Sequence, residues 1–315
     1  MNLNQKILVT GASGFVGRAL CDFAAAKGFV VQKAARNAGG LPSTDAKFVN
    51  GPIDEATNWR SALLGTSYVV HLAARVHVMR DVAANPLLEF RRVNVEGTLN
   101  LGRQAANAGV KRFVFISSIG VCGVQTSSGE AFSENNQPNP HNDYALSKCE
   151  AELGLMRIAA ETGLEVVTIR PPLVYGVNAP GNFGSLMRAV KSGVPLPLGA
   201  VRNQRSLVAL DNLVDFIVTA IIHPQAADQT FLVSDGQDMS TTELVRGMAK
   251  AAGVPARLLP VPVWALQAGA SLLGKGDAVQ SLCGNLQVDI LKARSLLGWV
   301  PPVSVEEGLR RAMAI

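Results

Sequence analysis

Lys6-Ile7-Leu8-Val9-Thr10 is a short β-rich run that breaks into Gly11-Ala12-Ser13-Gly14-Phe15-Val16-Gly17 and then into a helical stretch of Ala, Leu and Phe. A strand, a glycine turn and a helix N-terminus in direct succession leave few folds open. Glycines at 11, 14 and 17 permit a tight turn, close backbone approach to a pyrophosphate and close packing of helix on strand, while the helix amides face the phosphates. A lone GxxGxxG says little. At the first strand-to-helix junction of a chain that keeps alternating strands and helices, it predicts a parallel, doubly wound α/β sheet of the dinucleotide-binding kind.

The alternation continues. The second strand, from Phe29 to Ala34, ends at Ala35-Arg36 with no carboxylate to bind a ribose 2′-hydroxyl. An arginine there suits a 2′-phosphate, so NADP(H) is favoured over NAD(H). A third strand around residues 46–49 leads through Gly51-Pro52-Ile53-Asp54 to a helix near 57–64, and the fourth, Ser67 to Leu72, runs into Ala73-Ala74. Two small residues at the carboxyl end of a strand let a cofactor lie against the sheet edge. His71 sits in a buried strand pattern and reads as a core histidine, whereas His77, on the following loop, reads equally as a substrate contact or as a solvated loop histidine. A long helical stretch over 86–108 carries Asn94 at its middle. Asparagine is a poor helix former and needs partners when buried, so a kink or a water relay is expected at that point.

The fifth strand, Arg112 to Ile116, ends in Ser117-Ser118, putting two hydroxyls at the edge where open α/β sheets bind ligands. Residues 125–142 form a polar, proline-bearing loop positioned to cover that edge. The next helix opens with Asp143-Tyr144-Ala145-Leu146-Ser147-Lys148, four positions separating a phenol from an ammonium on one helix face. A free tyrosine titrates near pKa ~10 and becomes a useful acid or base at neutral pH only when a fixed cation stabilises its phenolate. Lys148 is spaced to supply that charge, and Ser118 to hydrogen-bond the oxygen that Tyr144 protonates or deprotonates. After a sixth strand, Glu165 to Arg170, the texture turns irregular: prolines and glycines punctuate short helices, with one β-like run at 230–233. The expected division is a Rossmann-type domain over 1–175 and a smaller, mainly substrate-binding lobe over 176–315, some of whose segments return to the first domain. In that lobe Arg205 offers a bidentate head that suits a phosphate.

Composition narrows the partners. The 315 residues, 48% of them apolar, suffice for a full core. The net charge of +5 arises from 29 basic and 24 acidic residues scattered along the chain, without the clustered stripe that nucleic acid requires. Four cysteines, Cys21, Cys122, Cys149 and Cys283, stand far apart, so neither a disulfide framework nor a zinc site is indicated, and no metal is expected. No signal-peptide pattern opens the sequence, and the apolar stretch from 261 to 273 is too short to span a bilayer. A cytoplasmic protein without membrane insertion is expected.

In combination these motifs resemble the extended short-chain dehydrogenase/reductases, and are similar to the UDP-glucose 4-epimerase group. The resemblance rests on the glycine turn, His71-Leu72-Ala73-Ala74, Asn94 in NVxGT, Ser117-Ser118, Tyr144xxxLys148 and Arg170-Pro171-Pro172-Leu173-Val174-Tyr175-Gly176, and spans nearly the whole chain. It implies a catalytic set of Asn94, Ser118, Tyr144 and Lys148. Tyr144 would be the acid/base at carbon 4 of a sugar, and Lys148 would hold the nicotinamide ribose and lower the Tyr144 pKa. The dinucleotide would lie against Gly11, Ser13, Gly14, Phe15, Val16 and Gly17, then Arg36, Ile53 and Asp54, then Leu72, Ala73, Ala74, Asn94, Ser117, Tyr144, Lys148 and Pro171. Substrate, a UDP-sugar, would meet Ser118, Tyr144, His77, Asn182 and Arg205, the last two holding its diphosphate. Family members often dimerise through helices corresponding to 86–108 and 142–162. Departures include Pro52 ahead of Asp54, Cys122 where epimerases often carry Tyr, and Leu173 where they often carry Asn. The whole set, including residues 71–79 and 205–211, looks most like the bacterial polysaccharide branch, and this resemblance together with Arg36 leans towards an NAD(P)H-dependent 4-keto reductase of a UDP-linked 6-deoxy-N-acetylhexosamine. The alternatives are a 4-epimerase with retained NAD and, as a minor one, a non-catalytic dinucleotide-sensing regulator.

Overall fold

The computed structural model describes residues 5–35, 47–49, 51–76, 85–272 and 276–314. Among the described residues the apolar runs become nine strands: β1 (Lys6–Thr10), β2 (Val30–Ala35), β3 (Lys47–Val49), β4 (Tyr68–His71), β5 (Arg112–Ile116), β6 (Glu165–Arg170), β7 (Leu173–Tyr175), β8 (Leu207–Ala209) and β9 (Thr230–Leu232). Seven form one sheet in the order β3-β2-β1-β4-β5-β6-β9, every neighbouring pair parallel, while β7 and β8 pair separately. Parallel strands are covered on both faces and therefore read as continuous apolar runs; Ile7, Leu8 and Val9 of β1 and Phe113, Val114 and Phe115 of β5 are fully buried. β9 sits at the sheet edge beside β6, so the 230–233 run joins the large sheet although it reads as part of the irregular lobe in sequence.

The strand order reverses between β1 and β4, which puts a crevice outside their carboxyl ends, where ligands of such sheets bind. The helices are α1 (Phe15–Ala26), α2 (Arg60–Leu63), α3 (Pro86–Arg91), α4 (Gly97–Asn107), α5 (Asp143–Thr162), α6 (Gly181–Lys191), α7 (Leu210–Ile222), α8 (Thr241–Ala252), α9 (Val263–Leu272), α10 (Gly276–Cys283), α11 (Leu291–Leu297) and α12 (Val305–Met313). Helices α1 and α7 pack together on one face of the sheet and α4 and α5 on the other, each side with its own apolar core. A third core joins α6, α8 and α12 with Tyr175 and Phe183 in the smaller lobe.

The stretch over 86–108 is not one regular helix. Between α3 and α4 a π-helical turn, Arg92–Glu96, holds Asn94, matching the kink expected there. Helix α5 starts sharply, the Asn142 side chain accepting from the Ala145 amide, and stops at Gly163 in the left-handed region. Its anchor to the sheet is a buried ion pair: Arg170 Nη2 at the end of β6 lies 2.5 Å from Glu152 Oε2, and Arg170 Nη1 donates to Cys122 Sγ at 3.4 Å. Among the described residues no helix is long and apolar enough to cross a membrane, and no cluster of side chains fits a metal ion.

Candidate active site

The glycine turn has the geometry its spacing predicts. Gly11 adopts φ +68°, and a Cβ there would stand 2.8 Å from the Ala73 amide. A Cβ on Gly17 would collide with the Gly11 carbonyl, which accepts from the Gly14 amide at 2.9 Å. Gly14 caps α1 without a side chain, and no acid sits in the first turn, so the helix N-terminus is free to meet an anion. The Ser13 carbonyl is held by Arg18 Nε at 2.8 Å. Phe15 packs into the small-lobe core and Val16 into the main core, so their side chains fix the turn and leave its backbone to a ligand. Leu72 and Ala73 likewise pack on the cores beside β4, with Ala74 half-buried after them. Ile53 is buried where it would block a Cβ on Gly97. Asp54 uses Oδ1 to close its own turn, accepting from the Ala56 amide and the Thr57 hydroxyl. Arg36 and His77 lie outside the described residues.

At the carboxyl end of β5, Ser117 is buried and its hydroxyl has no hydrogen-bond partner among the described residues. A buried orphan hydroxyl is costly, and one at the carboxyl end of a central strand fits a polar ligand. Ser118, half-buried, accepts from the Gly120 amide at 3.1 Å, and Ile119 N donates to the Pro171 carbonyl, tying this turn to the end of β6. The open α1 amides, the close Gly11–Ala73 approach and the Ser117 hydroxyl together form a cradle that suits a dinucleotide.

Tyr144 and Lys148 share α5 but titrate in opposite directions. Lys148 is 2% exposed, donates to the Ile116 carbonyl at 2.8 Å and stands 4.4 Å over the Phe115 ring. Burial lowers its pKa to about 7, against the opposing pull of Glu152. Tyr144 is half-buried, and desolvation raises its phenol to about 12. The resemblance implies that Lys148 lowers the Tyr144 pKa; here burial alone sets the direction of the shift, the Lys148 ammonium being turned onto the Ile116 carbonyl at the floor of β5. The Tyr144 ring meets Phe90 edge-on at 6.3 Å, and the Arg75 guanidinium lies 5.5 Å from the other ring of that pair.

Asn94 is completely buried, with both amide hydrogens committed to the Arg75 carbonyl (3.0 Å) and Ser147 Oγ (2.9 Å) and its oxygen accepting from the Arg75 amide (2.7 Å). Ser147 Oγ in turn donates to the Tyr144 carbonyl at 2.7 Å. The side chain thus clamps the segment after β4 to the tyrosine-bearing turn of α5. His71 is a core residue, as its strand pattern predicts: it bridges Thr10 Oγ1 (2.7 Å) and Thr98 Oγ1 (2.9 Å), and burial, then the nearby Lys148 charge, lowers its pKa to about 3.

On the smaller lobe, Arg205 donates to the Gly284 carbonyl at 3.0 Å and has no carboxylate partner among the described residues; burial lowers its pKa. A half-buried cation without a counter-ion suits an anionic group. Asn182 is exposed in the first turn of α6. The 125–142 loop is tied down along 285–289, Phe132 N donating to the Gln287 carbonyl at 2.8 Å. Sequence reasoning missed Thr10, Thr98, Ser147, Phe90 and Glu152. Only Ser147 carried a signal, as a hydroxyl one turn from Tyr144.

Known proteins match this arrangement. The NAD dependent epimerase/dehydratase family matches residues 7–234. A Vibrio cholerae protein named UDP-glucose 4-epimerase is 47% identical over 310 residues, 98% of this chain and 94% of that one. An Escherichia coli N-acetyl-alpha-D-glucosaminyl-diphospho-ditrans,octacis-undecaprenol 4-epimerase is 28% identical over 325 residues, 99% and 95% of the two chains. Among solved structures, a Thermus thermophilus UDP-glucose 4-epimerase in complex with NAD superposes with TM-score 0.78 at 24% identity, covering 98% of each chain. From its glycine turn to its Tyr144–Lys148 helix, the chain belongs to the NAD dependent epimerase/dehydratase family.

Proposed function

We propose that the protein is a hexose 4-epimerase acting on a UDP-sugar with a retained NAD. The observation that carries this reading is the Tyr144, Lys148 and Ser118 constellation at the sheet crevice of a chain 47% identical, over nearly its whole length, to a protein named UDP-glucose 4-epimerase. Reduction of a 4-keto sugar, the preference drawn from Arg36 in sequence, is displaced by that likeness, and Arg36 lies outside the described residues. The cofactor supplies reversible hydride transfer at carbon 4. Gly11, Gly14 and Gly17 bring backbone to its pyrophosphate, and Ser117, Pro171 and the Ala73-Ala74 edge line its bed. Tyr144 removes and returns the proton of the carbon 4 hydroxyl, and Ser118 hydrogen-bonds the same oxygen. Lys148 contributes a cation already stripped of water. Asn94 acts through Ser147 and Arg75 as a positioning residue. Arg205 and Asn182 hold the diphosphate, whether it carries a nucleoside or, as in the name of the Escherichia coli relative, a polyprenol. Leu153 and Met156, 49% and 60% exposed on α5, are the surface on which two copies would pair.

The test is to purify the protein without added cofactor, denature it, and quantify the released dinucleotide, then offer 4-epimeric UDP-hexoses and the diphospho-polyprenol hexosamine. About one NAD per chain, with interconversion of epimers and no added reductant, is expected. An empty site and NADPH oxidation with a 4-keto sugar would overturn the reading.

A further inference from the structure

Two of the three tyrosines are oriented through their hydroxyls, Tyr68 Oη donating to Gln5 Oε1 at 3.2 Å and Tyr175 Oη to Asp235 Oδ2 at 2.7 Å. The Tyr144 hydroxyl makes no hydrogen bond among the described residues, and desolvation alone moves its pKa. That suits an oxygen kept for substrate. It also means that the phenol is not aimed through its own polar atom. The Tyr144 backbone is fixed, since its carbonyl accepts from Ser147 Oγ in the first turns of α5. The torsion that turns an aromatic ring about its Cβ–Cγ bond is broad, so packing has to hold the ring.

Phe90 supplies that packing. It is the one buried residue of α3, 5% exposed, and its ring meets the Tyr144 ring edge-on, with centroids 6.3 Å apart and planes at 65°. Two π-systems attract at that distance and angle. Phe90 is in turn held from several directions. Its neighbour Arg91 donates through Nε to both carboxylate oxygens of Glu150 at 3.1 and 2.9 Å, which ties α3 to the helix that carries the tyrosine. The Arg75 guanidinium lies 5.5 Å from the Phe90 ring centre, and the Arg75 amide and carbonyl are both bonded to the Asn94 side chain. Four residues after Phe90, in the π-helical turn, the same Asn94 donates to Ser147 Oγ. One segment thus supplies the ring against the phenol and the amide that grips the phenol's own turn.

We propose that Phe90 is a positioning residue for the Tyr144 phenol: its ring holds the tyrosine in the orientation that brings Oη to the carbon 4 oxygen. The proposal rests on the reading of Tyr144 as the acid/base of a hexose 4-epimerase. Phe90 acts through Tyr144 and touches no reacting atom. A displacement of about 1 Å at a catalytic group costs up to about 100-fold in rate. Loss of the Phe90 ring therefore falls on kcat, while the groups that hold dinucleotide and diphosphate stand on other elements and keep their contacts.

The experiment takes the full chain, loaded with NAD, and compares Phe90→Leu and Phe90→Met, which stay apolar but lack the ring, on UDP-glucose and UDP-galactose. In both variants kcat should fall about 10- to 100-fold and KM should move by less than about twofold. A second readout needs no turnover. With 3-fluorotyrosine in place of tyrosine, the fluorine signal of Tyr144 is the one lost in Tyr144→Phe, and it should move in Phe90→Leu while the signals of Tyr68 and Tyr175 stay. An unmoved Tyr144 signal would overturn the proposal, as would a kcat within about twofold of wild type in both ringless variants while Tyr144→Phe is inactive. Full turnover in Tyr144→Phe would instead remove the acid/base reading and the proposal with it. If neither sugar turns over, the epimerase reading fails, and the fluorine signal alone decides whether Phe90 holds the Tyr144 ring.

Discussion

Lys148→Met should make the protein more stable at neutral pH while disabling it. An ordinary lysine holds its proton to about 10.5, and burial in this site brings Lys148 to about 7. The native state therefore binds fewer protons than the unfolded state between pH 7 and 10.5, and the wild type gains stability as pH rises through that window. At and below pH 7 the lysine penalises folding by roughly 4–5 kcal/mol relative to a neutral side chain of the same size, at about 1.4 kcal/mol per pKa unit. Methionine removes that penalty but forfeits the bond to the Ile116 carbonyl and the contact over Phe115. Those losses come to about 2–3 kcal/mol, so the net gain at pH 7 is about 1–2 kcal/mol, or ~2–4 °C in a chain of this size. The assay is thermal unfolding of both proteins, freed of dinucleotide, from pH 6 to pH 10. The variant should melt higher at pH 6–7 and the advantage should vanish by pH 10. A variant that melts lower at pH 7, with a difference that does not change with pH, would refute the reasoning.

Tyr144→Phe should lower epimer interconversion by about 100- to 10,000-fold, the usual worth of general acid–base catalysis, without changing the amount of dinucleotide released on denaturation; undiminished turnover would remove Tyr144 from its role. Glu152→Gln leaves Arg170 buried beside Cys122 with half its partner gone, and should cost about 3 kcal/mol, read as a lower chemical-denaturation midpoint that Glu152→Gln/Arg170→Met largely restores. His71 takes up a proton readily only when unfolded, so the wild type should lose stability as pH falls from 6.5 towards 3. His71→Gln, able to reach both threonine hydroxyls, should flatten that acid limb in a pH series of melting temperatures.

The fold was legible because its signals are local. Strands buried on both faces print as continuous runs such as Ile7-Leu8-Val9, and only glycine fits at 11 and 17, where a Cβ would meet backbone. Asn94 announced an irregularity because a mid-helix asparagine needs a reason, and the π-helical turn is that reason. What the sequence hid is tertiary. Whether Lys148 lies beside the Tyr144 hydroxyl or folds onto the Ile116 carbonyl depends on what occupies the floor of β5, and no spacing rule encodes desolvation. The place of Thr230–Leu232 was equally hidden, since three residues carry no information about which strand they pair with. The bridges from His71 to Thr10 and Thr98 join positions 61 and 27 residues apart and could be recognised only once β1, β4 and α4 were side by side.

The distribution of strain in this core also bears on why the crevice binds well. Lys148, His71 and Ser117 are polar groups deep in the protein, and each makes the fold less stable than an apolar residue would. They cluster under one crevice, while the Glu152–Arg170 pair and the Arg112 network, whose Nη1 serves three carbonyls at the end of α7, hold the surrounding elements rigid. A cation that has already lost its water at the folding step does not lose it again when a ligand arrives, and a hydroxyl with no internal partner gives none up. Such preorganised groups interact more strongly with a bound polar group than solvated ones would. The stability that Lys148→Met should gain is therefore the free energy that ligand binding recovers in the wild type, which requires dinucleotide to raise the melting temperature of the wild type more than that of the variant.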